Sequence, residues 1–267
     1  MDVTPVGVIS APAASNPLAI HKVWRHGFAI AGTKISADGH GYISARLRRY
    51  IGWICEQKGT ILACFIIGAG SFYGLPVPVR DTDTVIAADG GWRVCRELSL
   101  TPSLLVADFD SLDTVPEFDH ILRLPVEKDD TDMIRAVKEG FARGETEFHL
   151  LGGMGGRRTD HTLANMQTLA YIARHGGRGW LYGSGERFTA ICDGGEIMLP
   201  AKKSGILSVF CLGADAEGVT IEGAQYPLAD AALTADFPLG VSNHFTGKAV
   251  RVAVRRGCLL IGICDKE

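Results

Sequence analysis

The chain has 267 residues, with 27 Lys and Arg against 30 Asp and Glu and a formal net charge of −3, so no global basic field draws it to nucleic acid or to an anionic membrane. That length allows one large domain or two modest ones, each able to bury its own core. The longest uncharged apolar stretch, Thr60 to Leu75, is too short and too rich in glycine to span a bilayer, and the N-terminus lacks the basic-then-apolar layout of a secretory signal.

Residues 1–58 begin with a stretch, Val3 to Pro17, rich in Pro, Ala and Ser, and show no strong periodicity before Ile43 to Ile54. They are read as an N-terminal extension of unassigned role, with a composition that suits a flexible segment. From Thr60 onward, short apolar runs alternate with helical stretches. Strands are expected at Ile61–Ile67, Thr84–Ala88, Leu104–Ala107, His120–Leu124, Glu147–Leu151 and Gly179–Tyr182, and helices at Trp92–Leu98, Thr131–Arg143 and Thr162–His175. This alternation is the signature of a mostly parallel, Rossmann-like sheet with helices on both faces. In the second helix Met133, Val137 and Phe141 recur every four residues and form one buried stripe, with Asp132 and Arg135 on other faces. Past Gly183 the helical signals stop. Short alternating runs at Phe188–Cys192, Glu196–Leu199, Gly205–Cys211, Gly218–Ile221, Ala249–Val254 and Cys258–Ile263 predict a small all-β sandwich. The expected organisation is therefore an extension over 1–58, an α/β domain over 59–183 and a β-sandwich over 184–267, with a linker near Tyr182–Glu186. The seven cysteines, at 55, 64, 95, 192, 211, 258 and 264, contain no C-x-x-C pair and several lie in apolar runs; they read as core thiols in a reducing, cytoplasmic setting.

The chemistry is concentrated where the strands end. Gly68-Ala69-Gly70-Ser71 follows the first strand, Asp89-Gly90-Gly91 the second, Asp108-Phe109-Asp110-Ser111 the third and Lys128-Asp129-Asp130-Thr131-Asp132 the fourth. Gly152 to His161, with Arg157, Arg158 and Asp160, follows the fifth. Either acidic knot alone would be read as a turn or a helix cap. All five clusters together line the carboxyl ends of the strands, where open α/β sheets bind ligands. Two carboxylates about 4 Å apart repel by roughly 1 kcal/mol in water and more in a cleft, so the knots call for a shared cation. Mg²⁺ fits, because it accepts one or two carboxylates and shares its remaining positions with substrate phosphates. The glycine-rich segments let backbone N–H groups approach phosphate, and an arginine can clamp its oxygens. His161 and Asn165 lie one turn apart on the next helix, on a face offset from Leu163, Met166, Ala170 and Ala173. Together these features point to a nucleoside triphosphate, although no P-loop motif occurs.

The ordered set Ala88-Asp89-Gly90-Gly91, Asp108-Phe109-Asp110-Ser111, Lys128 through Asp132, and Arg158-Thr159-Asp160-His161-Thr162-Leu163-Ala164-Asn165 resembles the thiamine pyrophosphokinase family, as does Gly240-Val241-Ser242-Asn243 in the β-region. The resemblance runs from about residue 60 to the end. It implies an α/β domain followed by a β-sandwich, a homodimer with active sites between subunits, and transfer of the pyrophosphoryl group of ATP to the hydroxyl of thiamine with Mg²⁺. By motif, Asp108, Asp110 and Asp132 are the implied Mg²⁺ ligands and Asp89 the acidic residue near thiamine. Thr131 would position substrate, while Gly68, Gly70, Asp160, His161 and Asn165, from their place at the strand ends and the helix start, are read as the ATP side. Arg157 and Arg158 compete for the phosphate role, and Arg158 keeps the R-x-D-H spacing. Tyr226, standing where the family often has Trp, and Ser242 and Asn243, supplied by the partner subunit, would face thiamine. Asp89 and Asp132 both remain candidates for accepting the hydroxyl proton. The rival readings are a Mg²⁺-dependent kinase or nucleotidyltransferase for another small alcohol, and a non-catalytic thiamine- or nucleotide-binding regulator.

Overall fold

The computed structural model describes residues 62–107, 118, 120–123 and 129–265. The expected extension over 1–58, the acidic turn with Asp108 and Asp110, and Lys128 lie outside the described residues.

Fourteen strands and three helices follow one another in the described chain. The first half holds β1 (Ala63–Ile67), β2 (Thr84–Ala88), α1 (Gly91–Glu97), β3 (Leu104–Ala107), β4 (Ile121–Arg123), α2 (Asp132–Ala142), β5 (Glu147–Leu151), α3 (Thr159–Arg174) and β6 (Arg178–Tyr182). The second half is all strand: β7 (Glu186–Cys192), β8 (Glu196–Leu199), β9 (Ile206–Cys211), β10 (Ala216–Glu222), β11 (Leu228–Leu233), β12 (Gly240–His244), β13 (Val250–Ala253) and β14 (Cys258–Cys264). A ten-stranded sheet has the order β12-β9-β14-β7-β6-β5-β1-β2-β3-β4, and a four-stranded sheet the order β11-β10-β13-β8.

The six strands β1 to β6, contiguous in the large sheet, pair in parallel. Every residue of β1 and β3 is buried, as expected for strands covered on both faces. One face packs Cys64, Ile66, Ile86, Phe148 and Leu150 against Met133, Ala136 and Val137 of α2 and Leu169 and Ile172 of α3. The other face packs Phe65, Ile67, Val85 and Leu105 with Cys95 of α1. The stripe of α2 is as expected at Met133 and Val137, with Phe141 only half-buried beside it.

The expected linker is instead a tight hairpin. Gly183 donates its amide to the Glu186 carbonyl at 2.9 Å, and β6 and β7 pair antiparallel on either side. The large sheet therefore runs without interruption from the parallel half into the sandwich. There Leu207, Val209, Leu259 and Ile261 of the large sheet pack on Ile197, Val219, Ile221, Val250 and Val252 of the small one. Two strands escape the sequence pattern, β11 and β12. The cysteines also differ from expectation. Cys64 and Cys95 are buried thiols, and Cys211 and Cys264 are half-buried thiols, but Cys192 and Cys258 form a disulfide. They are directly opposed across β7 and β14, with Cα atoms 4.1 Å apart, the close separation of a non-hydrogen-bonded antiparallel pair. Among the described residues, no helix is long and apolar enough to cross a membrane.

Candidate active site

At the carboxyl ends of β1, β2 and β5 lies a cleft of about 740 Å³, a volume suited to a small ligand. Its floor is backbone. The Gly68 amide donates to the Leu151 carbonyl and the Gly70 amide to the Gly152 carbonyl, both at 2.8 Å, so the turns after β1 and β5 are fastened together. Asn165 of α3 reaches back from a buried position, and its Nδ2 donates to the Gly153 carbonyl at 2.7 Å. That bond anchors the glycine-rich turn to the helix behind it.

The walls carry the charge. Asp89 leaves β2 with φ +49°, a left-handed conformation uncommon for a residue with a Cβ and frequent at functional sites. Its amide donates to the Val106 carbonyl at 2.8 Å, which places it beside the end of β3. Opposite stands the start of α2, where the Thr131 hydroxyl accepts the Ile134 amide at 3.3 Å as the N-cap. Asp132 follows in the first turn, favourably placed for the helix dipole. Asp130 is not part of this wall. Its carboxylate accepts two hydrogen bonds from Lys138 Nζ at 2.6 and 2.8 Å, which removes one charge from the crowded knot.

α3 points its N-terminus into the cleft, with Arg157, Arg158 and His161 at the rim. The helix starts three residues earlier than the sequence pattern suggests, at Thr159, and Leu163 is 59 % exposed rather than packed. Arg158 and Asp160 form a forked pair at 2.5 and 2.9 Å, and the guanidinium hydrogen bonds draw the Asp160 carboxyl down to about 2. Arg157 has no hydrogen bond or ion pair among the described residues.

Gly68, Gly70, Asp89, Thr131, Asp132, Arg157, Arg158, His161 and Asn165 thus line one cleft. Tyr226, Ser242 and Asn243 do not. Ser242 and Asn243 lie on β12, the far edge strand of the large sheet, five strand spacings from β5, a distance on the order of 25 Å. Ser242 is exposed with φ +60°. Asn243, expected to face substrate, is turned inward instead, because its carboxamide is bonded to both backbone polar groups of Tyr226. No cluster of three or more metal-ligating side chains occurs among the described residues.

Comparison with known proteins supplies the rest. The family profile described as "Thiamin pyrophosphokinase, catalytic domain" matches residues 78–179, and "Thiamin pyrophosphokinase, vitamin B1 binding domain" matches residues 196–259. A comparison with curated proteins finds no match. Among solved structures, thiamine pyrophosphokinase from Bacillus subtilis superposes with a TM-score of 0.67 at 21 % identity, covering 77 % of this chain and 100 % of that one. A thiamin pyrophosphokinase family protein from Enterococcus faecalis gives 0.63 at 22 % identity, with 77 % and 100 % covered. Thiamin pyrophosphokinase from Candida albicans gives 0.61 at 12 % identity, with 76 % and 89 % covered. At these identities the superpositions carry the fold, while the two profiles, adjacent in the right order and together spanning more than half of the sequence, carry the lineage: the chain belongs to the thiamin pyrophosphokinase family.

Proposed function

We propose that the cleft between β1, β2, β5 and the starts of α2 and α3 binds the triphosphate of ATP against the acceptor alcohol of thiamine. The chain is an enzyme, a thiamine diphosphokinase that uses ATP as co-substrate and makes thiamine diphosphate. The observation that carries the assignment of the cleft is the convergence there of Asp89, Asp132, two glycine turns and two arginines from four separate segments.

The substrate hydroxyl attacks the β-phosphorus of ATP, its O–P bond forms as the bond from that phosphorus to the oxygen bridging the α-phosphate breaks, and AMP leaves. Such a displacement needs alignment and charge neutralisation more than covalent help. The fastened turns at Gly70 and Gly152 and the N-terminus of α3 hold the phosphates, with backbone N–H groups and the helix dipole favouring negative charge. Arg157 and Arg158 stabilise the charge that grows on the leaving group. Asp89 or Asp132 accepts the hydroxyl proton.

Mg²⁺ is the proposed cation. Asp132 lines the cleft, and Asp108 and Asp110 directly follow Ala107, the last residue of β3 and a neighbour of the β2 end that carries Asp89. This all-carboxylate oxygen set suits a hard cation, which would be held by Asp108, Asp110 and Asp132. Bound there, it would supply charge screening at the phosphate oxygens.

The thiamine side is supplied by a second copy of the chain. Tyr226 and Ser242 are exposed yet lie far across the sheet from the cleft of their own chain. Near them Phe237, at 64 % exposed, Leu239 and Val241 form an apolar surface on and beside the edge strand β12, the kind of surface a partner covers. These positions support a homodimer in which Tyr226 and Ser242 of one copy face the cleft of the other. We assign the N-terminal extension over 1–58 an accessory role, the segments 59–183 and 184–267 the catalytic and thiamine-binding roles, and a cytoplasmic setting, where ATP is abundant.

Release of AMP from ATP, measured with and without thiamine, tests the reading. AMP formation that requires thiamine and a divalent cation is expected. Release of ADP would transfer the assignment to another kinase chemistry, and ligand binding without turnover would make the chain a regulator.

A further inference from the structure

Asn243 sits at the end of the sandwich, 4 % exposed, and every bond it makes is to backbone. Its Oδ1 accepts the Tyr226 amide and the His244 amide, each at 2.9 Å, and its Nδ2 donates to the Tyr226 carbonyl at 2.7 Å. The geometry explains why a carboxamide is needed. The segment before Tyr226 pairs briefly with the end of β12, through the bridge between Ala224 and Phe245 and the Gln225 amide donating to the His244 carbonyl at 3.0 Å. One residue later, the pairing fails. Against β9, β12 places Gly240 and Asn243 opposite Val209 and Leu207, so that Val241 and Ser242 oppose Ser208 alone, with Ser242 in the left-handed region, the mark of a bulge. At that step the Tyr226 backbone has no strand to bond. The Asn243 side chain, with one acceptor and one donor group spaced like those of a peptide, supplies the missing rung. Pro227 follows and holds the chain extended at Tyr226. The phenol ring is left 60 % exposed, with Gln225 Nε2 donating to its hydroxyl at 3.4 Å.

We infer that Asn243 is a positioning residue of the thiamine site: its carboxamide clamps the Tyr226 backbone so that the Tyr226 ring projects as a fixed aromatic face, while the neighbouring bulge presents Ser242. This rests on the reading of Tyr226 as part of the thiamine site, and it divides the Ser242-Asn243 pair into an outward group that meets substrate and an inward group that does not. An aromatic face held in place before binding loses less conformational freedom on engaging a flat heterocycle than a mobile one does.

Steady-state kinetics of the full chain carrying Y226A, N243A, N243D and the double change Y226A/N243A provide the test. Y226A removes the ring but keeps the backbone that Asn243 holds. Y226A and N243A should each raise KM for thiamine about tenfold and leave KM for ATP within about twofold. The double variant should be no worse than Y226A alone, because the clamp has nothing left to position. N243D keeps the volume and both accepting bonds but replaces the donor with a buried anionic oxygen that repels the Tyr226 carbonyl; it should move KM for thiamine in the same direction, and because it leaves no cavity it serves if N243A does not fold. Multiplication of the two single effects would mean that Asn243 touches thiamine itself and would overturn the inference, as would an N243D variant with unchanged KM for thiamine. An equal rise in both KM values would reduce Asn243 to a merely structural part. An unchanged KM for thiamine in Y226A would instead remove the underlying reading of Tyr226.

Discussion

Gly70 and Gly152 meet amide to carbonyl at 2.8 Å across the mouths of β1 and β5, so closely that a Cβ on Gly70 would stand 2.5 Å from the Gly152 oxygen. The obstacle is backbone on both sides, and Gly152 itself holds φ +62° against the Gly68 oxygen. Neither turn can yield without the other moving. Gly70→Ala is therefore expected to separate the two turns. The cost in stability should be about 1–3 kcal/mol, typical of an overpacked site, and kcat/KM for ATP should fall at least roughly tenfold, since phosphate is held by backbone that has shifted. Thermal denaturation and initial rates check both, and a variant with normal ATP kinetics would remove these turns from the phosphate site.

The two arginines of the α3 turn differ in what already occupies them. Arg158 is held in a fork by Asp160, and with both groups about two-thirds exposed the pair is a matter of orientation rather than stability. Arg157 is unengaged among the described residues and lines the same cleft. Arg157→Ala is expected to weaken ATP binding with little change in kcat. Arg158→Ala should lower kcat as well, because its fork is already aimed beside the α3 N-terminus. Asp160→Asn loosens the fork and should resemble a mild Arg158 variant. Since Asp160 stays ionised down to about 2, no step in the pH–rate profile between pH 4 and 9 is expected from this pair, and a profile that shifts in Asp160→Asn within that range would contradict it.

What was legible in the sequence follows from how strongly a pattern constrains the chain. β2, β3, β5 and β8 end where the apolar runs end, because a strand buried on one or both faces leaves little freedom of register. β11 was not legible, since the run from Leu228 to Leu233 has no β-branched residue and only Leu233 is buried. β12 was hidden by its polar Ser-Asn-His end and its bulge. Among the described residues the cleft was legible because the clusters after β1, β2 and β5 and the one that opens α2 each follow a strand, a relation that survives errors in any single boundary. The inward turn of Asn243 was not, because its partner Tyr226 is 17 residues away and depends on a bulge that no local pattern announces.

His149 offers a pH dependence located away from the cleft. Its ring stacks on Phe65 at 4.7 Å and on Tyr182 at 5.7 Å, and its Nδ1 is 2.8 Å from the Tyr182 hydroxyl. Burial holds the imidazole below its ordinary range, opposed in part by Asp83. In the unfolded chain this histidine takes up a proton near pH 6.5, while the folded one resists. As pH falls from 7 through that range the unfolded state binds more protons, so stability declines until the folded ring also protonates, below which the loss levels off. The wild-type Tm should therefore fall on acidification from pH 7.5 to 5.5. His149→Phe keeps the stack, forfeits the bond to Tyr182 and should start from a lower Tm at pH 7.5, yet show a shallower decline. Identical slopes for the two chains would rule out this histidine as a source.

The proposed sharing of sites between two copies predicts complementation. Asp132→Asn damages the cleft of the copy that carries it, whereas Tyr226→Ala damages the face that the copy offers to its neighbour. Each homodimer then has two defective sites. A heterodimer of the two variants collects both defects in one site and leaves the other intact. After dissociation and random reassembly half of the dimers are mixed, so at thiamine well below KM about a quarter of wild-type activity should return, from one nearly inactive preparation and one that keeps about a tenth. Sites completed within a single copy would return none. Placing Asp at Leu239, on the exposed apolar surface beside β12, should oppose assembly by burying an unpaired charge. Sedimentation would then find a folded monomer whose own Asp132 and Tyr226 are intact but too far apart on the sheet to meet, and activity should be absent. A monomeric Leu239→Asp chain with full turnover would place the thiamine-binding face within one subunit and sink the shared-site reading.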